Sequence, residues 1–116
     1  MRFLSIVKAK EGGPPPPPEA FERIEKLIEE GYKAGWLLYA EGLMPSEHGF
    51  RVRSAGGKLT VTDGPFTESK EIVGGFSIFK AASKEEAVAL TKRFSEAAGG
   101  GDAETEVRPL WDMPGA

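Results

Sequence analysis

Apolar and polar residues alternate at the start of the chain as they do in a half-buried β-strand. The alternation separates two sides of such a strand, Phe3, Ser5 and Val7 on one and Leu4 and Ile6 on the other. This pattern predicts a first strand over residues 2–8. The segment Glu11-Gly12-Gly13 and the proline run 14–18 come next, and they predict a stiff loop with Pro18 near the start of a helix.

Two later segments change to the helical period. The first, residues 19–34, has apolar side chains three or four positions apart, at Phe21, Ile24, Leu27, Ile28 and Tyr32. Charged residues occupy the other side, so we expect an amphipathic helix that ends at Gly35. The second segment begins with Ser83-Lys84-Glu85-Glu86, which has the spacing of a capping box. Its apolar face consists of Ala87, Leu90, Thr91, Phe94 and Ala98, and the glycines 99–101 end it.

The remaining apolar segments are short and predict five further strands. They cover residues 36–40, 50–53, 58–62, 72–80 and 104–111. Gly56-Gly57 lies between the second and the third of these and suits a tight hairpin turn. Pro109 predicts an edge position or a bulge for the last strand. The order of elements is therefore β-α-β-(β-β)-β-α-β.

This order predicts a single α+β domain over residues 1–116, with a ferredoxin-like arrangement and an inserted hairpin. Two helices cover one face of an antiparallel sheet, but they cannot cover both. The strands nevertheless carry bulky apolar residues on two sides, Trp36 and Leu38 against Leu37 and Tyr39, and Phe76 and Ile78 against Phe79. We therefore predict a homodimer in which two sheets face each other.

The composition excludes several classes of function. The 116 residues include 15 Lys and Arg and 18 Asp and Glu, a net charge of −3, which argues against direct binding of nucleic acid through its phosphates. Cysteine is absent, so disulfides, thiolate catalysis and iron–sulfur clusters are excluded. No segment has the roughly 18 apolar residues of a membrane span. We expect a cytoplasmic protein with no membrane contact, no metal and no cofactor.

The densest group of polar residues is the segment Asp63-Gly64-Pro65-Phe66-Thr67-Glu68-Ser69-Lys70-Glu71. Asp63 is the main candidate for a general base at the mouth of a cleft. The alternative is that Asp63 and Gly64 close a turn that Pro65 stiffens. Phe66 is then either a lid over the cleft or a plug that anchors the loop, and we favour the plug.

Other charged residues extend the candidate site. Lys70 suits the carboxylate of a ligand, whereas Glu68 and Glu71 could share a proton with the aspartate or form surface ion pairs. Glu41 lies on a strand with apolar neighbours, where a carboxylate needs a partner. His48 is the single histidine, and its place in a turn predicts an exposed side chain rather than a base.

The segment 62–71, followed by Gly74-Gly75-Phe76, resembles the signature of the DGPF-domain branch of the YCII-related family. Glu41-Gly42-Leu43, Pro45-Ser46 and Thr60-Val61-Thr62 fit the same branch, and the likeness runs from the first strand to the last. It implies a dimeric α+β barrel with a small cleft and an acid/base role without an established reaction. Members of the wider family include a lactone dehalogenase, and others are associated with sigma factors, which implies regulation.

One position departs from the pattern of that family. Met44 stands before Pro45, where members often carry histidine. The Asp–His dyad that the resemblance implies would therefore need His48 to fold back.

Two functions follow from these observations. In the first, the protein is a small-molecule enzyme in which Asp63 is the base, Lys70 holds a carboxylate, and Glu68 or Glu41 assists. In the second, it is a non-catalytic ligand-binding or regulatory dimer, in which the Asp63-to-Phe66 segment is a structural loop. Contacts to a small-molecule ligand are predicted at Gly64, Pro65, Phe66, Glu71 and His48.

Overall fold

The computed structural model describes residues 1–13, 15–66 and 68–111, and it confirms the predicted α+β order of elements. The elements are β1 (Arg2–Ala9), α1 (Pro18–Ala34), β2 (Leu37–Gly42), a short 3-10 turn (Ser46–His48), β3 (Phe50–Ala55), β4 (Lys58–Asp63), β5 (Ile72–Lys80), α2 (Lys84–Ala97) and β6 (Ala103–Pro109). The 3-10 turn is called the serine turn below. The predicted strand boundaries differ from these by at most two residues.

Four strands form one antiparallel sheet in the order β2-β5-β1-β6. With the hairpin set aside, the chain forms a β-α-β-β-α-β unit of the ferredoxin-like type. The edge position predicted from Pro109 is confirmed, because β6 lies at one edge of the sheet. Strands β3 and β4 form a separate two-stranded sheet. Their turn has positive φ at both Gly56 and Gly57, as a type I′ turn requires.

The two helices pack on one face of the four-stranded sheet. The buried core on this face consists of Phe3, Leu37, Phe79, Ala81 and Ala87. The rings of Phe3 and Phe79 are stacked with their centroids 5.6 Å apart, on the neighbouring strands β1 and β5. Leu90 and Phe94 of α2 pack against this core. Neither helix of the described residues combines the length and the apolar character needed to cross a membrane.

The predicted strand 36–40 begins one residue later, although the Trp36 carbonyl still accepts a hydrogen bond from the N–H of Lys80 in β5 at 2.7 Å. Strand β2 begins at Leu37, and the Trp36 indole makes an edge-to-face contact with Phe94 of α2, with ring centroids 6.1 Å apart. A glycine of α1 makes room for this ring, because a Cβ at Gly31 would lie 2.9 Å from the indole and 2.7 Å from Leu37 Cβ. The indole therefore lies between the two helices.

The buried face of α1 matches the predicted one in part, because Leu27 is buried and Ile28 packs against the core, whereas two predicted residues are exposed. Its buried residues are Ala20, Leu27 and Gly31. Phe21 and Tyr32, which the helical period places on the apolar face, are 51% and 46% exposed. The Tyr32 hydroxyl accepts a hydrogen bond from the backbone N–H of Ala40 at 3.1 Å. Tyr32 therefore satisfies a donor of the edge strand β2 and keeps its polar end at the surface.

The start of α2 confirms the predicted cap with one change. Ser83 Oγ accepts a hydrogen bond from the backbone N–H of Glu86 at 3.2 Å, as in a capping box. The Glu86 carboxylate accepts from the backbone N–H of Ala82 at 3.2 Å, one residue before the capping serine. The two side chains therefore hold both the first turn of the helix and the chain that enters it.

The face of the sheet opposite the helices is called the open face. It presents apolar residues in register on three adjacent strands, namely Leu4, Ile6, Tyr39, Phe76 and Ile78. The rings of Tyr39 and Phe76 lie 5.8 Å apart. Towards β6 the open face becomes charged, where Lys8 Nζ lies 3.2 Å from Glu104 and 3.1 Å from Glu106. The prediction of strands with two apolar sides is therefore confirmed.

Candidate functional site

Ser46 joins three loops near one end of the sheet. Its backbone N–H and its hydroxyl donate to the two carboxylate oxygens of Glu11, at 2.8 and 2.6 Å. Its Oγ also accepts the backbone N–H of Phe66 at 3.1 Å. Ser46 is buried, with 7% of its surface exposed. One residue therefore holds together the loop after β1, the serine turn and the loop after β4.

Gly64 lies directly against the serine turn. Its N–H donates to the carbonyl of Gly49 at 2.9 Å. A Cβ added to Gly64 would overlap the backbone carbonyl of Ser46. The peptide bond between Gly64 and Pro65 is cis. This close approach of two backbones leaves no space for a side chain at position 64.

Arg51 of β3 holds the loop after β4 from the other side. Its guanidinium carbon lies 3.7 Å from the centroid of the Phe66 ring. Its Nη1 donates to Glu68 Oε1 at 2.8 Å and its Nη2 to Ser69 Oγ at 3.1 Å. A planar guanidinium can stack on a ring and donate at its edges at the same time. Phe66 is thereby anchored, with its backbone on Ser46 and its ring against Arg51.

The hydrogen bonds to Glu11 change its titration. The Ser46 hydroxyl, and then the Ser46 backbone N–H, lower the pKa of the Glu11 carboxyl below its ordinary value. Both donors favour the charged carboxylate. The deprotonated form of Glu11 is therefore the form that holds the three loops together.

The stability of the protein is expected to depend on pH through Glu11. Because the pKa of Glu11 is lower in the folded than in the unfolded chain, its stabilisation is fully present above the ordinary value of 4.5. The stabilisation is lost as the pH falls through the lowered value. Urea unfolding between about pH 7 and about pH 3 should show a smaller acid loss in Glu11→Gln than in the wild type.

The matched control for this prediction is Glu25→Gln, at an exposed position of α1. It should retain the acid loss of the wild type. The comparison also separates the effect of Glu11 on acid stability from that of Glu30. Arg93 lowers the pKa of Glu30, and this contribution to the acid loss remains in both variants. Equal acid losses in the wild type and in Glu11→Gln would contradict the assigned role of Glu11.

An open cleft of about 420 Å³ lies beside these loops. Its wall includes two apolar side chains and four charged ones, which are Phe66, Ile72, Lys10, Glu11, Glu68 and Lys70. A second open cleft of about 420 Å³ shares Lys10 with it, and Glu71, Asp102 and Glu104 contribute to its wall. The structure therefore brings Phe66, Glu68 and Lys70 to one cleft and places Glu71 at the neighbouring one.

The other predicted site residues lie outside these clefts. Asp63 is exposed at the end of β4, opposite Phe50 in the hairpin register. His48 ends the serine turn with an exposed side chain, as predicted, and its Nε2 lies 3.4 Å from a carboxylate oxygen of Glu47. Glu41 lies on β2 opposite Phe76, on the open face. Among the described residues, no three His, Asp or Glu side chains are close enough to hold a metal ion.

Three residues that organise the site were not predicted from the sequence. Arg51 carries the clearest signal, because it alternates with Phe50 and Val52 and so belongs to the polar side of the hairpin. Ser46 follows a proline in a turn, which is an ordinary place for a serine. Glu11 stands 35 positions before Ser46 in a glycine- and proline-rich loop, and no local pattern indicates its partner.

The sequence matches a known protein family over nearly its whole length. The YCII-related domain matches residues 1–111 of the chain. The protein belongs to the YCII-related family. An uncharacterised protein of Rhizobium meliloti (strain 1021) is 36% identical to it over 78 residues, which are 67% of this chain. The matched region spans 62% of the length of that relative.

The contact between Gly64 and Ser46 connects two segments that are separate in the sequence. The two residues come from separate segments that carry the resemblance, the Asp-Gly-Pro-Phe segment and the Pro45-Ser46 pair. In the fold their backbones are in contact, and the Ser46 hydroxyl also accepts a hydrogen bond from the N–H of Phe66. Met44 is 71% exposed and lies outside this cluster.

Proposed function

We propose that this YCII-related protein is a homodimer that binds a small, partly apolar carboxylate in the cleft beside Phe66. The observation that carries the proposal is the composition of the cleft wall, which combines two apolar side chains with four charged ones. Its volume of about 420 Å³ falls within the range of small-molecule sites. Phe66 and Ile72 offer apolar contact to the body of such a ligand.

The charges of the cleft favour an anionic ligand. Glu11 accepts hydrogen bonds from Ser46, and Glu68 is paired with Arg51. Among the described residues, neither Lys10 nor Lys70 forms an ion pair. Two lysines therefore remain to bind a carboxylate, whereas the two glutamates already have partners. This charge distribution supports the predicted role of Lys70.

Benzoate is a suitable probe, with neutral benzamide as its matched control. NMR titration should show benzoate binding with shifts around Phe66 and Ile72, and benzamide should bind about tenfold more weakly because it has no charge. Lys70→Gln should weaken benzoate binding to a similar extent. Lys92→Gln, at an exposed position of α2, should leave it unchanged. Equal affinities for the two probes would contradict an anion site.

An acid/base enzyme is the second candidate, because Glu68 lines the same cleft as Lys70. Glu68 would have to exchange its contact with Arg51 for a contact with the substrate. Asp63 and Glu41, the other two predicted carboxylates, lie outside this wall. Incubation of the protein with small keto acids and lactones, followed by NMR, distinguishes the candidates, because conversion of a compound supports the enzyme and unchanged spectra support the binding module.

The open face supports the dimer. Its apolar residues lie on three adjacent strands, and two helices cover only the opposite face. An identical chain offers an identical face, so a two-fold axis would pair the two sheets and bury both, as in a dimeric α+β barrel. Glu41, next to Phe76, would then lie at the interface.

Ile6→Lys tests this pairing, because it introduces a charge at the centre of the open face. Sedimentation equilibrium should give twice the monomer mass for the wild type and the monomer mass for Ile6→Lys. Val88→Lys introduces the same charge at an exposed apolar position of α2 and should remain dimeric. A monomeric wild type at micromolar concentration, or a fully dimeric and folded Ile6→Lys, would contradict the pairing of the sheets.

A further inference from the structure

The hairpin of β3 and β4 presents an apolar face to solvent. The hairpin, residues 50–63, is called the arm below. The register Val52↔Val61 and Ser54↔Leu59 places its apolar residues on one face. The exposed fractions of these side chains are 66% for Phe50, 55% for Val52, 74% for Leu59 and 64% for Val61. The other face carries Arg51, Arg53, Lys58, Thr60 and Thr62. The arm is therefore amphipathic without a covered side in the described chain.

The arm extends away from the rest of the molecule. Its strands form their own sheet, and every residue of both is exposed. The radius of gyration is 16.1 Å, against about 13 Å for a compact chain of this length. An isolated two-stranded hairpin is only marginally stable in water, so an arm with one apolar face needs a surface to pack on.

The base of the arm is fixed to the body of the protein. Gly64 follows its last residue and donates to Gly49, which precedes its first. Arg51, within the arm, binds Phe66 and Glu68 in the loop beyond it. The apolar face is therefore presented in a set direction before any partner binds, which lowers the entropic cost of association.

The area of the open face indicates what the arm packs on. Tyr39 is 47% exposed and the other four apolar side chains of the open face are half-buried, so their accessible area is on the order of 300–400 Å². A stable protein interface buries about 800 Å² on each partner. The open face alone therefore falls short of a stable dimer, and a second apolar surface on each copy would supply the remainder.

We propose that the apolar face of the arm packs on a second copy of this chain and completes the interface between the two sheets. This inference rests on the proposed dimer. The arm lies in the chain between β2 and β5, the strands that carry Tyr39 and Phe76 of the open face. Each copy contributes its own arm to the other. Asp63 faces the same side of the arm as Phe50, so the partner would enclose this carboxylate.

Charge substitutions on the two faces of the arm test the inference. Val61→Lys places a charge on the apolar face and should raise the dissociation constant of the dimer at least about tenfold. Thr60→Lys places the same charge on the neighbouring residue, on the opposite face, and should leave the dissociation constant within about twofold of the wild-type value. Sedimentation equilibrium of the full-length variants measures both.

The outcomes separate the arm from the pairing of the sheets. If Ile6→Lys is monomeric and Val61→Lys dimerises like the wild type, the inference on the arm is overturned and the proposed dimer stands. If Val61→Lys weakens the dimer and Ile6→Lys does not, the arm is the interface and the pairing of the sheets is wrong. A monomeric wild type overturns both.

A label provides a second measurement that does not depend on a charge. The chain has no cysteine, so Leu59→Cys places a single environment-sensitive dye on the apolar face. The dye emission should shift to longer wavelength as the dimer is diluted to monomer, because the arm then returns to water. The same dye at Thr60→Cys should show no shift. Emission at position 59 that does not change on dilution overturns the inference.

Discussion

Replacing Phe79 by alanine is expected to lower the free energy of unfolding by about 3–5 kcal/mol. Phe79 is 2% exposed and lies on β5, where it is in register with Phe3 on one side and Leu37 on the other. Its ring stacks on Phe3, so the substitution removes both apolar burial and a ring contact. The resulting cavity would lie between the sheet and the helices, and urea unfolding at neutral pH measures the loss.

The matched control for this prediction is Phe21→Ala. The chemical change is the same, but Phe21 lies on the outer part of α1 and is 51% exposed. Its loss should cost about 1 kcal/mol or less, because much of its surface is already in water. Similar losses for the two variants would mean that the core is not centred on Phe79. The contrast is informative because the helical period of the sequence assigns Phe21 to the buried face.

The fold was predictable because its strands and helices carry clear periods. Phe76, Ile78 and Phe79 on one strand show two apolar sides, and the structure divides them between the open face and the core. Gly56-Gly57 between two alternating segments gives the hairpin and its turn. These are local features, and local periodicity is the part of a sequence that determines secondary structure directly.

The errors in the predicted elements arise where packing between distant parts of the chain decides the position of a side chain. Trp36 is apolar and precedes apolar residues, so it matches a strand pattern. Its carbonyl accepts the N–H of Lys80 in β5, but its indole occupies a place formed by Gly31 and Phe94, on two different helices. Nothing in residues 36–40 alone could indicate that place. Tyr32 behaves similarly, since the donor that it satisfies belongs to β2.

The candidate site divides in the same way. Phe66, Glu68 and Lys70 were predicted together because they are close in sequence, and they do border one cleft. Glu11 and Ser46 are 35 positions apart, and their contact depends on three loops meeting in the fold. Site residues that lie on one loop can be predicted because they are close in sequence. The residues that hold this loop in place lie in distant segments of the chain and cannot be predicted in this way.

The roles of the Asp-Gly-Pro-Phe residues differ within the segment. Gly64 donates its N–H to the carbonyl of Gly49, just after the serine turn, and Phe66 donates its N–H to the Ser46 hydroxyl. These bonds support the structural alternative for the two positions. Asp63 lies at the end of the arm and takes no part in the hydrogen bonds that hold the described loops. Its role as a base stays a prediction, and the proposed dimer gives it an environment that the single chain does not.

Gly64→Ala is expected to lower the free energy of unfolding by about 3 kcal/mol. The added Cβ would overlap the carbonyl of Ser46, so the two backbones must separate. Their separation would strain the hydrogen bonds from Gly64 to Gly49 and from Phe66 to Ser46. Urea unfolding measures the total loss. Hydrogen exchange at the Phe66 amide should accelerate more than exchange at the amides between β1 and β5, because the damage begins at the base of the arm.

Gly42→Ala is the control, since a Cβ at Gly42 has no other atom within 4 Å and the substitution should change stability by less than about 1 kcal/mol. If Gly64→Ala proves equally mild, the serine turn can move away at little cost and does not fix the arm. Gly64→Ala could instead leave the β1–β5 amides protected from hydrogen exchange while it accelerates exchange at the Phe66 amide. If this variant also weakens the dimer, association requires the fixed base of the arm. Gly64 would then stabilise the dimer only by allowing the close approach of the two backbones, without a side chain at the interface.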